Sequence, residues 1–188
     1  MARNTEQKII DAFLNIANSE KTEFSNITVK MIAQKAHITS PTFYNHFNSI
    51  AHLIEVIRED AAKPLLEILE TYKEVGEQSP FEIIAKEILP ILYQNRTRIR
   101  IICIAPADFN WHLFLENRYT EWFLPYCKGI REIDFSEEWL ARFFAKTIVT
   151  ITTLWLADPI PEPPKLFQGK FLALMDTHSK IISGQRAS

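Results

Sequence analysis

The spacing of apolar residues limits this chain more than any other feature. Ile9, Phe13, Ile16 and Ala17 form one stripe of a helix expected from about Thr5 to Glu20, and Leu140, Phe144, Ile148, Ile151 and Trp155 form another in the stretch after Ser136. Residues three and four apart share a helix face, whereas the residues of a half-buried strand alternate. No stretch alternates convincingly and glycine is scarce, 4 in 188 residues, so the fold class is all-α. Prolines mark where helices begin and break. Pro41 and Pro80 each follow a serine, the arrangement of a capped helix start, where the missing N–H costs nothing. Pro64 and Pro90 fall inside helical stretches and should bend or interrupt them. "DPIPEPP", between the last two helices, is a stiff connector.

The stretch "HITSPTFYNHFNSIAHL", His37 to Leu53, mixes aromatics with polar residues. Before it, Thr28 is placed to cap a short helix whose buried side is Val29, Ile32, Ala33 and Ala36. A second short helix then starts with Ser40 as cap and Pro41 at its first position, and Asn48-Ser49 ends it and starts a fourth helix. Phe43 and Phe47, four apart, face inward, while Thr42, Asn45 and His46 fall on the other side with Ser40. Tyr44 sits at the border, its hydroxyl free to reach a phosphate. Two short helices joined by a turn of about four residues, the second bearing a row of hydrogen-bonding groups, match a helix-turn-helix that enters the DNA major groove. His46 reads as groove-facing and His52 as an ordinary exposed histidine.

At these residues a resemblance becomes specific. "ITVKMIAQKAHITSPTFYNHFNSIAHL" resembles the DNA-binding domain of the TetR family of transcriptional regulators, over Thr5 to about Ile57. "WLADPIPEPPKLF" is similar to the end of that family's penultimate helix and the loop after it. The resemblance implies a three-helix DNA-binding head, residues 1–52, and a helical effector-binding and dimerisation body, residues 53–188. It implies that Thr42 and Asn45 read bases, that Thr28, Tyr44 and His46 hold the backbone, and that Thr39 and Ser40 complete the DNA-binding set. Two positions depart from the family pattern: His37 stands where the turn usually has glycine, and Ile50 where relatives place a phosphate-binding lysine. Residues 1–53 hold five basic and four acidic side chains, the remainder 16 and 19. That balance predicts modest non-specific DNA affinity, because such binding is nearly all phosphate neutralisation.

The rest of the composition narrows the function class. At 47% apolar the chain is too hydrophobic to be disordered. Its start lacks the apolar core of a secretion signal, and no run approaches the roughly 18 apolar residues of a membrane span, so a cytoplasmic protein with no membrane partner is expected. Cys103 and Cys127 form no CxxC pair and have no histidine at ligand spacing, which indicates reduced, mostly buried thiols and no metal. Neither a cofactor-binding loop nor a catalytic motif is present, so no cofactor and no enzyme are expected.

Two features of the body bear on function. Seventeen of 22 aromatics lie beyond residue 53, and Phe109, Trp111, Phe114, Trp122 and Phe123 crowd around Asp108, Asn110, His112 and Arg118. An apolar lining with a few polar groups suits a small-molecule pocket, for which Phe109, Trp111, Phe114, Arg118, Trp122, Phe144 and Trp155 are the candidates. The stripe from Leu140 through Ile148 and Ile151 is widened by Trp139, Phe143 and Leu154 beyond one neighbour's needs, and Phe167, Phe171, Leu174 and His178 give the last helix its own seam. Those two helices are expected to pair with their copies in a homodimer that presents two heads to double-stranded operator DNA. The expected function is a ligand-responsive repressor that releases a near-palindromic operator when it binds a small-molecule effector. A helical enzyme without a recognisable motif, and an interaction adaptor that has lost DNA binding, are the alternatives.

Overall fold

The computed structural model describes residues 2–19, 23–104, 109–130 and 134–182, with side chains described for 4–19, 23–101, 111–130 and 134–176. Among them every regular element is helical. The helices are α1 (Ala2–Ala17), α2 (Val29–Lys35), α3 (Ser40–Tyr44), α4 (Ile50–Thr71), α5 (Pro80–Ile83), α6 (Leu89–Gln94), α7 (Arg96–Ile104), α8 (Phe109–Cys127), α9 (Glu137–Ala157) and α10 (Pro164–Ile182). A 3-10 turn, Phe24–Asn26, precedes α2, and a π-helical segment, Ile84–Ile88, joins α5 to α6. The chain packs as two compact units, Met1–Lys63 with Asn95–Asp108, and Pro64–Gln94 with Phe109–Ser188. The division between the two units in the first half of the chain falls inside α4, at Pro64. α4 stays helical through that proline.

In the first unit, α1 begins earlier than Thr5 and ends before Glu20. Its Ile9, Ile10, Ala12 and Phe13 are buried, and Ile16 and Ala17 are half-buried. Against it stand Ile32, Ala33 and Ala36 of the α2 region and the rings of Phe43 and Phe47, all buried. The link from α2 to α3 is a Schellman turn: Ile38 N–H donates to the Ala33 carbonyl at 2.9 Å and His37 N–H to the Gln34 carbonyl at 3.3 Å. This motif requires a left-handed residue at its centre. His37 supplies it, with φ 56°.

In the second unit, α8 packs along α9. Phe81, Phe123 and Phe144 form one aromatic cluster, with centroids 5.4–5.8 Å apart. The Trp122 indole N–H and the Tyr126 hydroxyl both donate to the Tyr72 carbonyl, at 2.8 and 3.0 Å. Ser136 caps α9 by accepting from Trp139 N–H at 3.2 Å, with Glu137 and Glu138 in the first turn, where the helix dipole favours acids. The connector after α9 is braced as its prolines suggest. Ile160 N–H donates to Asp158 Oδ1 at 2.9 Å and the Trp155 indole to the Glu162 carbonyl at 2.9 Å.

The π-helical segment has a cause in the sequence. Leu89 N–H reaches back five residues to the Ile84 carbonyl. The Ala85 carbonyl would take the N–H of residue 90, but that residue is proline and has none. Gln168 of α10 supplies the missing donor: its Nε2 lies 2.6 Å from the Ala85 carbonyl oxygen.

One property of α9 bears on the expectation of no membrane span. The helix has 21 residues and a mean hydropathy of 1.3 over its most apolar window, enough by length and composition to cross a membrane. Half of that window is buried inside the protein. Arg142, Lys146 and the threonines interrupt the apolar run without lowering its mean far.

Candidate nucleic-acid interface

Three hydroxyl caps organise the segment from α2 to α4. Thr28 Oγ1 accepts from Met31 N–H at 3.3 Å and starts α2. Thr39, not Ser40, caps α3, its Oγ1 accepting from Thr42 N–H at 3.3 Å. Ser40 and Pro41 occupy the first turn, which proline tolerates because those N–H groups have no intrahelical partner. Ser49 Oγ accepts from His52 N–H at 3.1 Å and starts α4, whose first residue is Ile50.

α3 is only five residues long, and its two faces differ sharply. Phe43 and Phe47 are wholly inside. Tyr44 is 55% exposed, its ring edge-on to Phe43 at 5.5 Å, and Asn45, at the C-cap, is exposed. Thr42, Ser40 and His46 are half-buried. The Thr42 and Thr39 hydroxyls lie 2.8 Å apart, so Thr42 is held in place before any partner arrives. Of the expected DNA-facing residues, Thr28, Thr39, Tyr44 and Asn45 are exposed and Ser40, Thr42 and His46 are half-buried.

The packing also alters the charge of this unit. Met1–Lys63 carries seven basic and seven acidic residues, and Asn95–Asp108 adds Arg96, Arg98 and Arg100 against Asp108. The unit therefore holds ten basic and eight acidic residues, and the rest of the chain eleven and fifteen. A count that stopped at residue 53 missed the "RTRIR" of α7, because nothing in the sequence says that α7 packs with α1.

The described candidate pocket residues take part in several ring contacts. Trp111 is buried and stacked on Phe114 at 5.7 Å, and the Arg118 guanidinium lies over the Phe114 ring at 5.6 Å while paired with Glu121 at 3.1 Å. Arg118 and Trp122 share a groove of about 410 Å³ with Leu66, Leu69, Glu70, Lys73 and Glu121. Phe144 belongs to the cluster with Phe81 and Phe123, and Trp155 is stacked between Tyr93 and Phe167, at 5.8 and 4.4 Å. The Trp111 indole nitrogen is buried without a hydrogen-bond partner. Phe109, Asp108 and Asn110 lie outside the described side chains, as do His178 and Cys103. Burial pushes the Cys127 thiol up to about 11, with Glu137 adding to the effect.

Of the expected interface residues, Leu140, Ile148 and Phe171 are buried within the protomer's own core. The outward face of α9 is formed by Trp139, Phe143, Thr150 and Leu154, with Thr147 and Ile151 half-buried beside them. Phe135, Trp139 and Phe143 stack in a parallel ladder, at 4.0 and 5.6 Å, and a shallow groove of about 430 Å³ runs along this face. On α10, Leu166 and Leu174 are exposed, and Phe167 is half-buried.

Comparisons with known proteins agree with this geometry. The profile of bacterial regulatory proteins of the tetR family matches residues 21–57, the span of the three caps. An HTH-type transcriptional regulator of Bacillus subtilis (strain 168), YxbF, is 20% identical over 172 residues, 92% of this chain. The chain spans 44% of that relative's length. Among solved structures, NalD of Pseudomonas aeruginosa, the secondary repressor of the MexAB-OprM multidrug efflux pump, superposes with a TM-score of 0.69 at 17% identity, covering 93% of this chain and 95% of the other. The dihydroxyacetone kinase operon activator DhaS gives 0.58 at 20% identity, covering 94% and 97%.

Proposed function

We infer the function from the premise that this chain belongs to the TetR family of bacterial regulatory proteins. It is a dimeric one-component transcriptional regulator of the cytoplasm, whose head binds a near-palindromic operator in double-stranded DNA and whose body binds a small, largely apolar effector. The observation that carries this reading is the capped helix, Schellman turn and capped helix, which bury Phe43 and Phe47 and leave Tyr44 and Asn45 outside. Thr42 and Asn45 read base edges. Thr28, Thr39, Ser40, Tyr44 and His46 hold phosphates and fix the register.

The exposed faces of α9 and α10 support a homodimer. Trp139, Phe143, Leu154, Leu166 and Leu174 are large apolar side chains left open by the protomer, and pairing across a two-fold axis covers such a patch. The buried indole N–H of Trp111 supports an effector site in the body, since an unpaired buried donor costs about 1–3 kcal/mol and an acceptor atom on a ligand would remove that penalty. The effector acts by binding one arrangement of the heads more tightly than the other. An activator and a repressor share this fold, so the sign of regulation depends on where the operator lies. Repression follows from a head that occupies the promoter.

Selection of DNA from a random pool by the purified full chain tests the reading. A recovered palindrome with half-sites about one helical turn apart supports it. A pool that stays random rejects it in favour of an adaptor or an enzyme.

A further inference from the structure

His52 is half-buried rather than an ordinary exposed histidine. It is the third residue of α4, and Ser49 Oγ accepts its backbone N–H. In return its ring Nδ1 accepts the backbone N–H of Asn48 at 3.1 Å, and the ring stands edge-on to buried Phe47 at 5.9 Å. Such reciprocal bonding is the logic of a capping box, in which a glutamate or glutamine normally returns the bond. Here an imidazole takes that place, and the segment it brackets, Phe47 to Ser49, is the link from the recognition helix to α4.

We propose that His52 is a positioning residue for the recognition helix and makes DNA binding by the head sensitive to pH. A neutral imidazole offers a lone pair at Nδ1, whereas a protonated one has donors on both nitrogens. Protonation therefore turns the Asn48 contact into N–H against N–H and places a positive charge in the first turn of α4, at the positive end of its dipole. Both effects open the bracket on acidification. Glu55, one turn further along α4 and exposed, attracts the imidazolium and softens the penalty. His46, whose ring lies 6.4 Å from that of Phe47, is the other imidazole of this segment, and a positive charge on it favours phosphate rather than opposing it. Among the described residues no carboxylate of α1, α2 or α3 forms an ion pair with His52.

The effect on binding rests on the DNA-binding reading; the cap itself does not, and the test separates the two. In the free, isotope-labelled protein, the Asn48 amide resonance followed from about pH 8 to about pH 5.5 should move in step with the His52 ring, the span in which histidines take up their proton. An Asn48 amide that stays still, or that moves without the ring, overturns the proposal. For operator affinity, the wild type should lose about tenfold at the acid end relative to His52→Gln, which keeps a neutral acceptor, one cap being lost in each of two heads. His52→Ala should bind weakly throughout. Identical pH slopes for wild type and His52→Gln overturn the proposal even when the amide titrates. A protein that selects no DNA overturns the DNA-binding reading and the pH effect on it, while the Asn48 titration still decides the cap.

Discussion

The contact between Gln168 and the Ala85 carbonyl lends itself to a quantitative test. Pro90 leaves that carbonyl without a backbone donor, and Gln168 Nε2 fills the vacancy at 2.6 Å beside a fully buried Ala85. Gln168→Leu keeps the volume and removes the donor, so a buried carbonyl loses its partner at a cost of about 1–3 kcal/mol. For a chain of this length, 2 kcal/mol corresponds to a fall in Tm of about 4–8 °C. Pro90→Ala restores an N–H at residue 90 and gives the Ala85 carbonyl a donor within its own helix. In that background Gln168→Leu should cost less than about 1 kcal/mol, leaving a coupling of about 1–2 kcal/mol between residues far apart in sequence. Urea unfolding of the wild type, the two single variants and the double variant, at one protein concentration, measures it. Equal losses from Gln168→Leu in both backgrounds would show that Pro90 is not the reason for the glutamine contact, and a neutral Gln168→Leu would remove the hydrogen bond from the account altogether.

Other substitutions test other parts of the structure. His37→Gly relieves a left-handed non-glycine residue at the Schellman turn and should raise stability by up to about 1 kcal/mol, read as a higher urea midpoint; a lower midpoint would mean that the His37 side chain contributes more than its strain costs. Ile50→Lys should steepen the log–log salt dependence of operator binding by a dimer by roughly 2 × 0.9 units, whereas parallel lines for the two proteins would place residue 50 away from the phosphates. Leu154→Glu, on the open face of α9 at 70% exposure, should yield monomers in sedimentation with the fold intact. By contrast, Leu140→Ala should cost about 2–5 kcal/mol of stability, because that side chain is internal; the reverse pattern would return the interface to the Leu140 face.

Local rules were enough to read much of the head from sequence. Thr28 is the kind of residue that caps a helix, Phe43 and Phe47 fall on one face, and His37 sits where a turn needs positive φ; the structure has all three. The choice between Thr39 and Ser40 as cap escaped, since both are good caps and proline is accepted at either of the first two helical positions. In the body the stripes were visible, but not which half of a wide stripe faces the protomer. Leu140, Ile148 and Leu154 look alike in a sequence, and only the packing of α8 on α9 separates the first two from the third. The π-helical segment needed knowledge that Gln168 lies beside Ala85, and the charge of the first unit needed the packing of α7 with α1. Neither is a local property.

The parallel ladder of Phe135, Trp139 and Phe143 gives the protein a built-in optical probe. Trp111, Trp122 and Trp155 are buried, whereas Trp139 is 47% exposed. Emission at the red edge of the tryptophan band, and collisional quenching by a small solute, therefore report chiefly on one indole on the outer face of α9. Whatever covers that face should shift the spectrum to the blue and shield the quenchable fraction, in unlabelled protein and at concentrations far below those that scattering methods require.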